Sequence, residues 1–231
     1  MTDNPLKILL VHNFYSSAVP SGENQVFEAE KRLLLQYGHE VQEFIRRSDE
    51  IRGDRILGTL RGAVATPYNP FMAASIKKKV KDFKPDIVHV HNTFPLISPA
   101  IFHSIGHSAA RVLTLHNYRL ICPSAIPMRD GKICTDCFGS HWPLPSVQHG
   151  CYRNSRIATL PLAASVALHW ALGTWKHQVD AFISLSEFQP TRFANVPTSA
   201  SPVFNGFPPP PVCAPPMPNV TRRCVSADHS V

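Results

Sequence analysis

The sequence predicts an α/β fold, a doubly wound, Rossmann-like parallel sheet with helices on both faces. Three observations carry this reading. Short runs that read as strands alternate with segments of helical period. The runs are apolar almost throughout, as strands covered on both faces are. The spacing between them leaves room for a helical crossover each time, which a parallel sheet needs. The periodicity sets the span at about residues 5–189.

The elements follow in order. Leu6 to Val11 is a continuous apolar strand after Pro5. Val26, Ala29, Leu33 and Tyr37 then recur at helical spacing, and Gly38 supplies the stop. Val41 to Ile45 reads as the second strand. Asn69-Pro70 opens a helix, with Asn as N-cap and Pro in the first helical position. Met72, Ile76, Val80 and Phe83 are its apolar stripe, and Pro85 ends it. Asp86 to His91 is a strand, Ser98-Pro99 opens a short helix through Ile105, and Val112 to Leu115 is the next strand. Residues 117–155 form a long cysteine-bearing insert. A helical apolar stretch runs from Ile157 to Trp175, and Ala181 to Leu185 is the last strand.

Composition bounds the class. At 231 residues, 17% charged and 44% hydrophobic, the chain can bury a core, which excludes a wholly disordered or collagen-like protein. Lys and Arg number 23 against 16 Asp and Glu, for a net charge of +7. Six cysteines are too few for a disulfide scaffold of this length. No basic segment precedes an apolar one at the start, so no signal peptide is expected, and the expected location is the cytoplasm. Residues 190–231 differ: they hold 10 of the 22 prolines, including Pro208 to Pro211, and no period survives. Proline removes backbone donors and fixes φ, so an irregular, largely disordered tail is expected there.

Three strands end in the same dipeptide, His12-Asn13, His91-Asn92 and His116-Asn117, and a fourth ends in Ser186-Glu187. Ligands of open parallel sheets sit beyond the carboxyl ends of the strands, where the strand order switches. His and Asn there offer donors and acceptors without a fixed charge. Each His could instead cap its own strand and bond backbone carbonyls. A three-histidine zinc site is disfavoured, because strand ends hold ligands further apart than a Zn–N bond of ~2 Å allows. The first strand-to-helix connection contains Ser21-Gly22-Glu23, and a glycine at a helix start lets a phosphate approach bare amides. Arg46 and Arg47 after the second strand, in place of an acidic residue, argue against NAD and dehydrogenase chemistry.

Taken together, these segments resemble the amino-terminal half of glycosyltransferase family 4, which has the GT-B fold. The matching residues are Lys7 to Asn13, Ser21-Gly22-Glu23, Tyr37 to Val41, Pro85 to Asn92, Leu113 to Asn117 and Phe182 to Phe188. The resemblance implies a single GT-B half, the acceptor-side domain of a retaining enzyme that moves a sugar from a nucleotide-sugar to a hydroxyl of a glycan or lipid-linked acceptor. It implies that Gly22 lies near the donor phosphate and that His116 contacts the transferred sugar as the catalytic-site histidine. Glu23, His12, Asn13, His91, Asn92, Asn117 and Glu187 complete the expected binding set. Members of this family carry a second domain with a pair of glutamates that hold the donor. After Glu187 this chain has no glutamate, so the donor domain is expected to be missing and the chain inactive alone. The tail then reads as a foreign frame, and a separate chain could supply the other half. The alternative is a non-catalytic, zinc-stabilised module that binds a glycan or a protein.

The insert carries Cys122, Cys134, Cys137 and Cys151, and the spacing C-x11-C-x2-C-x13-C suits a structural tetrahedral zinc. His141 and His149 are substitute ligands, and four reduced thiols are the plain alternative. Cys213 and Cys224 lack partners at ligand spacing. Ile76 to Lys84 is the densest basic run, which reads as a solvated helix face or a contact with anionic lipid at the inner face of a membrane. No aromatic-interleaved basic stripe points to nucleic acid. Ile157 to Trp175 lacks Asp, Glu, Lys and Arg, and reads as a buried helix before an interfacial one.

Overall fold

The computed structural model describes residues 4–15, 21–51, 55–140 and 142–185, and the backbone of 202–204. Ser186, Glu187, His141, Cys213 and Cys224, and with them the reading of the tail apart from 202–204, lie outside the described residues.

Six parallel strands form one sheet: β1 (Lys7–Phe14), β2 (Glu40–Arg47), β3 (Ile87–Asn92), β4 (Ala110–Leu115), β7 (Ala181–Ser184) and β8 (Pro202–Phe204), in the order β2-β1-β3-β4-β7-β8. A two-stranded antiparallel ribbon, β5 (Met128–Arg129) with β6 (Lys132–Ile133), decorates the insert. The helices are α1 (Gly22–Gln36), α2 (Arg55–Ala65), α3 (Pro70–Phe83), α4 (Ile101–Ile105), α5 (Leu144–Gln148), α6 (Arg156–Ala171) and α7 (Thr174–His177). The fold is the doubly wound, Rossmann-like sheet that the alternation predicts. The chain passes from β1 outward to β2 and returns past β1 to β3, so the switch in strand order falls between β1 and β3.

Alternate residues of each strand face opposite sides. On one side Leu9, Val11, Val88, Val90, Leu113 and Leu115 pack against α3, α4 and Trp175 of α7 in the larger core. On the other, Ile8, Leu10 and Phe14 pack around Phe27 of α1 in a smaller one. Local signals set the helices. The Asn69 side chain accepts from the Met72 amide at 3.2 Å, and its own amide donates to the Leu96 carbonyl at 2.6 Å, tying the start of α3 to the loop after β3. Asp86 accepts from the Lys7 amide at 2.8 Å, which joins the amino-terminal ends of β1 and β3. Asp180 forks onto the buried Arg111, and that guanidinium holds the Asp180 carboxyl below the usual range.

Four expectations need correcting. The inward stripe of α1 is not Val26, Ala29, Leu33 and Tyr37, since Leu33 and Tyr37 are exposed. Phe27 is the buried position, with Glu23, Glu30 and Leu34 on its stripe at helical spacing. Second, the stretch from Ile157 to Trp175 is not one helix: Gly173 adopts φ +61° and parts α6 from α7. Third, α2 fills the interval before Asn69, where no element was expected. Fourth, β8 adds a strand inside the proline-rich region. Its proline is the first residue of an edge strand, where a missing donor is tolerated.

At Gly173 a side chain would be strained by φ, and its Cβ would lie 2.7 Å from the His177 ring. Gly173→Ala should therefore cost about 1–3 kcal/mol in reversible urea unfolding, the usual range for a non-glycine held in this region. An unchanged midpoint and slope would show that the break between α6 and α7 does not depend on this glycine.

Candidate functional site

The carboxyl ends of β1, β3 and β4 bring the expected His-Asn pairs to one end of the sheet, though the six side chains play different parts. Asn13 has no exposed surface. Its amide donates to the Phe14 carbonyl and to Ser48 Oγ, and its oxygen accepts from the Leu96 amide. Asn92 donates to the Asn13 carbonyl and accepts from the Phe94 amide. These two amides pin the strand ends and the loop after β3, so Asn13 builds the crevice and does not face it. His12 is also fully buried, stacked on Phe27 at 4.8 Å between ring centroids, and its Nε2 donates to Asn24 Oδ1 at 2.9 Å. Burial holds the His12 ring neutral, with its pKa lowered to about 4.

His91 and His116 form the centre. His91 Nδ1 and His116 Nε2 lie 3.0 Å apart and share one proton between them. Burial, then the neighbouring His91, lowers His116 to about 3, so it works as a neutral imidazole. Beneath them, β3 presents His89 and His91 on the face covered by α1, and α1 supplies Glu30 to both. His89 Nδ1 donates to Glu30 Oε1 at 2.5 Å, and its Nε2 meets Thr114 Oγ1 at 2.7 Å. His91 Nε2 lies 3.4 Å from Glu30 Oε2 in poor alignment, and counts among the buried atoms without a hydrogen bond. Burial acts to raise the Glu30 carboxyl, but the bond from His89 and the close approach of His91 outweigh it and hold the group well below the usual carboxylate range.

A second carboxylate stands at the rim. Glu23, in the first turn of α1, accepts from Asn117 Nδ2 at 2.8 Å. Burial raises its pKa, against the pull of Asn117, Arg119 and Tyr15. Asn117 in turn accepts from the Arg119 amide, and the Arg119 guanidinium stacks 4.2 Å from the centre of the Phe94 ring. Gly22 opens α1, and a Cβ there would meet nothing within 4 Å, so packing does not demand glycine. A cavity of about 60 Å³ opens at this end, lined by His91, Asn92, His116, Asn117 and Arg119 over a floor that includes Trp175. That is room for a few water-sized groups and far below a nucleotide-sized site.

Five buried side-chain atoms lack a hydrogen-bond partner among the described residues: His12 Nδ1, Glu23 Oε2, His91 Nε2, Arg119 Nε and Trp175 Nε1. Three belong to residues lining the cavity, and Glu23 is bonded to a fourth. Buried polar atoms are ordinarily satisfied, so a cluster of unsatisfied ones marks where a ligand or ordered solvent belongs.

Glu30, His89 and His91 place one ligating atom each within 4.8 Å of one another, a group that could hold a metal ion. Its surroundings fit, since ligating imidazoles ordinarily bond a second group through the other nitrogen, and Thr114 and His116 stand there. The four insert cysteines are free thiols and are not among such groups of the described residues. They do share one corner: burial, then the charges of Cys122, Cys151 and Cys134, pushes Cys137 up to about 11. Cys122 is taken up by Ser124 and the Ile126 carbonyl.

Glu30, His89, Arg119 and Tyr15 escaped the sequence reading. The signal for Glu30 was present: Glu23, Phe27 and Glu30 stand at i, i+4 and i+7, a stripe with an acid at either end. No family model matches the chain, and no curated protein matches it.

The neutral histidines set a pH dependence. His12 and His169 are both lowered to about 4 in the folded chain, chiefly by burial. Their unfolded value is near 6.5. Between these values the unfolded chain binds protons that the folded one does not, so stability is full above about pH 6.5 and falls toward pH 4. Each group contributes a slope of up to about 1.4 kcal/mol per pH unit in that window. Urea unfolding at pH 7.5 and 5.5 should show a loss of at least about 2–3 kcal/mol, the share of this pair, to which the lowered His116 adds. Equal stability at both pH values would mean that one or both rings are charged in the fold.

Proposed function

We propose that the chain is the amino-terminal, acceptor-side half of a retaining glycosyltransferase and is inactive on its own. The observation that carries this is the set of unsatisfied buried polar atoms at the carboxyl ends of β1, β3 and β4 and in the elements beside them, where residues resembling glycosyltransferase family 4 also fall. On this reading the neutral His116 and the Asn117–Glu23 pair bond sugar hydroxyls without a fixed positive charge. Arg119 stands at the same wall to meet an anionic leaving group. In transfer, the bond from the anomeric carbon to the donor diphosphate oxygen breaks, and one to the acceptor oxygen forms. Stabilising that diphosphate takes several positioned donors. The small cavity is one wall of such a site, the other belonging to a donor lobe.

Two measurements test this. The purified chain should show no turnover with isotope-labelled UDP- or GDP-sugars, and turnover would overturn the inactivity. UDP or GDP should raise its melting temperature, since a ligand that binds only the folded state stabilises it. Gly22→Ala should leave the unliganded melting temperature little changed but remove the shift, because the added methyl meets no atom of the described residues yet narrows the approach to the first amides of α1. No shift with any nucleotide counts against the transferase reading.

A second reading has its own support, the Glu30, His89 and His91 group. It is a non-catalytic module, stabilised by zinc, that binds a glycan or a protein. Under it the purified chain carries about one zinc, and chelation lowers the melting temperature. Glu30→Gln abolishes the binding, while Cys134→Ser with Cys151→Ser does not. Less than ~0.2 zinc per chain ends this reading, since structural sites bind tightly.

A further inference from the structure

We infer that the outer face of α2 and α6 is a docking surface for an anionic lipid membrane, on which the chain lies without crossing. The observation is an apolar face with no opposing protein layer among the described residues, built from two stretches of sequence that themselves carry no acid. Residues 55–81 and 137–179 contain no Asp or Glu, and hold six and three Lys or Arg respectively. The fold brings the two stretches together. Ser165 Oγ of α6 donates to the Thr66 carbonyl just after α2 at 3.3 Å, and His169 Nε2 donates to the Pro67 carbonyl at 2.9 Å.

Helix α6 has no charged residue after Arg156, and a helix apolar all round is ordinarily buried all round. Here one side is buried through Leu162, Ala163, Val166 and Ala167, while Ile157 is 80% and Leu160 52% exposed on the other. On α2, Leu60 is 62% and Val64 71% exposed. Arg61, Arg153 and Arg156 are exposed beside these apolar positions. Apolar side chains with exposed arginines beside them match the boundary between acyl chains and anionic headgroups, the nearest acids before α2 among the described residues being Asp49 and Glu50 on the turn ahead of it. A second copy of the same face would bring like charges together, which disfavours self-association. Among the described residues no helix is long and apolar enough to cross a membrane, so the contact is one of lying on the surface.

The test is flotation of the full chain with vesicles of phosphatidylcholine alone and of phosphatidylcholine with phosphatidylglycerol. The chain should float with the anionic vesicles, less so at high salt, and weakly with the neutral ones. Leu60→Glu with Val64→Glu, and separately Ile157→Glu with Leu160→Glu, should each lower partitioning by about tenfold or more, with melting temperature unchanged because the sites are exposed. Arg61→Glu with Arg153→Glu and Arg156→Glu should do the same through charge alone, and serves should an apolar variant fail to fold. Absence of flotation with anionic vesicles, or undiminished flotation of the folded variants, overturns the inference. So does sedimentation as a dimer that the glutamate variants dissolve without any vesicle binding. Nucleotide binding does not enter this test, so it stands or falls separately from the transferase reading.

Discussion

A carboxylate set between a helix and the middle of a sheet governs this fold. Glu30 sits under α1 against His89 and His91, where an uncompensated charge would be costly. Two imidazoles on alternate positions of β3 meet it, and the carboxylate cannot leave them without losing both. That fixes the rotation of α1 about its own axis. Glu23 lies on the same stripe seven residues earlier, so the rotation that satisfies Glu30 also delivers Glu23 to Asn117 at the crevice. His91 carries the constraint onward through its contact with His116. The polar site at the strand ends is thus held from below by a helix–sheet contact and not by the loops alone.

The two faces of the sheet do different work. The face toward α3, α4 and α7 is a dry apolar core, and it supplies most of the burial. The face toward α1 carries the small apolar cluster of Ile8, Leu10, Phe14 and Phe27 with the polar His12, His89 and His91 set beside it. A polar layer of this kind needs each group matched, and Asn13, Asn92 and His12 are bonded accordingly. Of the unmatched atoms, those of His91, Arg119 and Trp175 belong to residues that line the cavity, while His12 Nδ1 lies inside the polar layer itself. Helix α6 joins this cavity to the outside, because Leu162 and Val166 wall the cavity while Ile157 and Leu160 face outward.

What was legible in the sequence follows from what local interactions decide. Strands β1, β3, β4 and β7 are short apolar runs in a doubly covered sheet, and such runs read directly. The start of α3 was legible because Asn69 caps through its own side chain, a contact within four residues. Convergence of three His-Asn pairs was legible from topology, since parallel strands of one sheet end on the same side. The inner face of α1 was not legible, because a period of apolar residues locates a core only when the facing surface is apolar. Its facing surface carries His89 and His91, so the inward positions are acids, and the outward Leu33 and Tyr37 mimicked a core stripe.

By itself, then, the sequence determined the class of fold, the order of its elements and the end of the sheet where polar side chains collect. These depend on hydrophobic period, capping and strand direction, all properties of neighbouring residues. Only the tertiary structure decided which of those side chains are consumed as braces, which remain unsatisfied at the cavity, and that Glu30, fifty-nine positions before His89, is the group that joins them. The physical reason is that hydrogen bonds act over about 3 Å, and separation along the chain carries no information at that range.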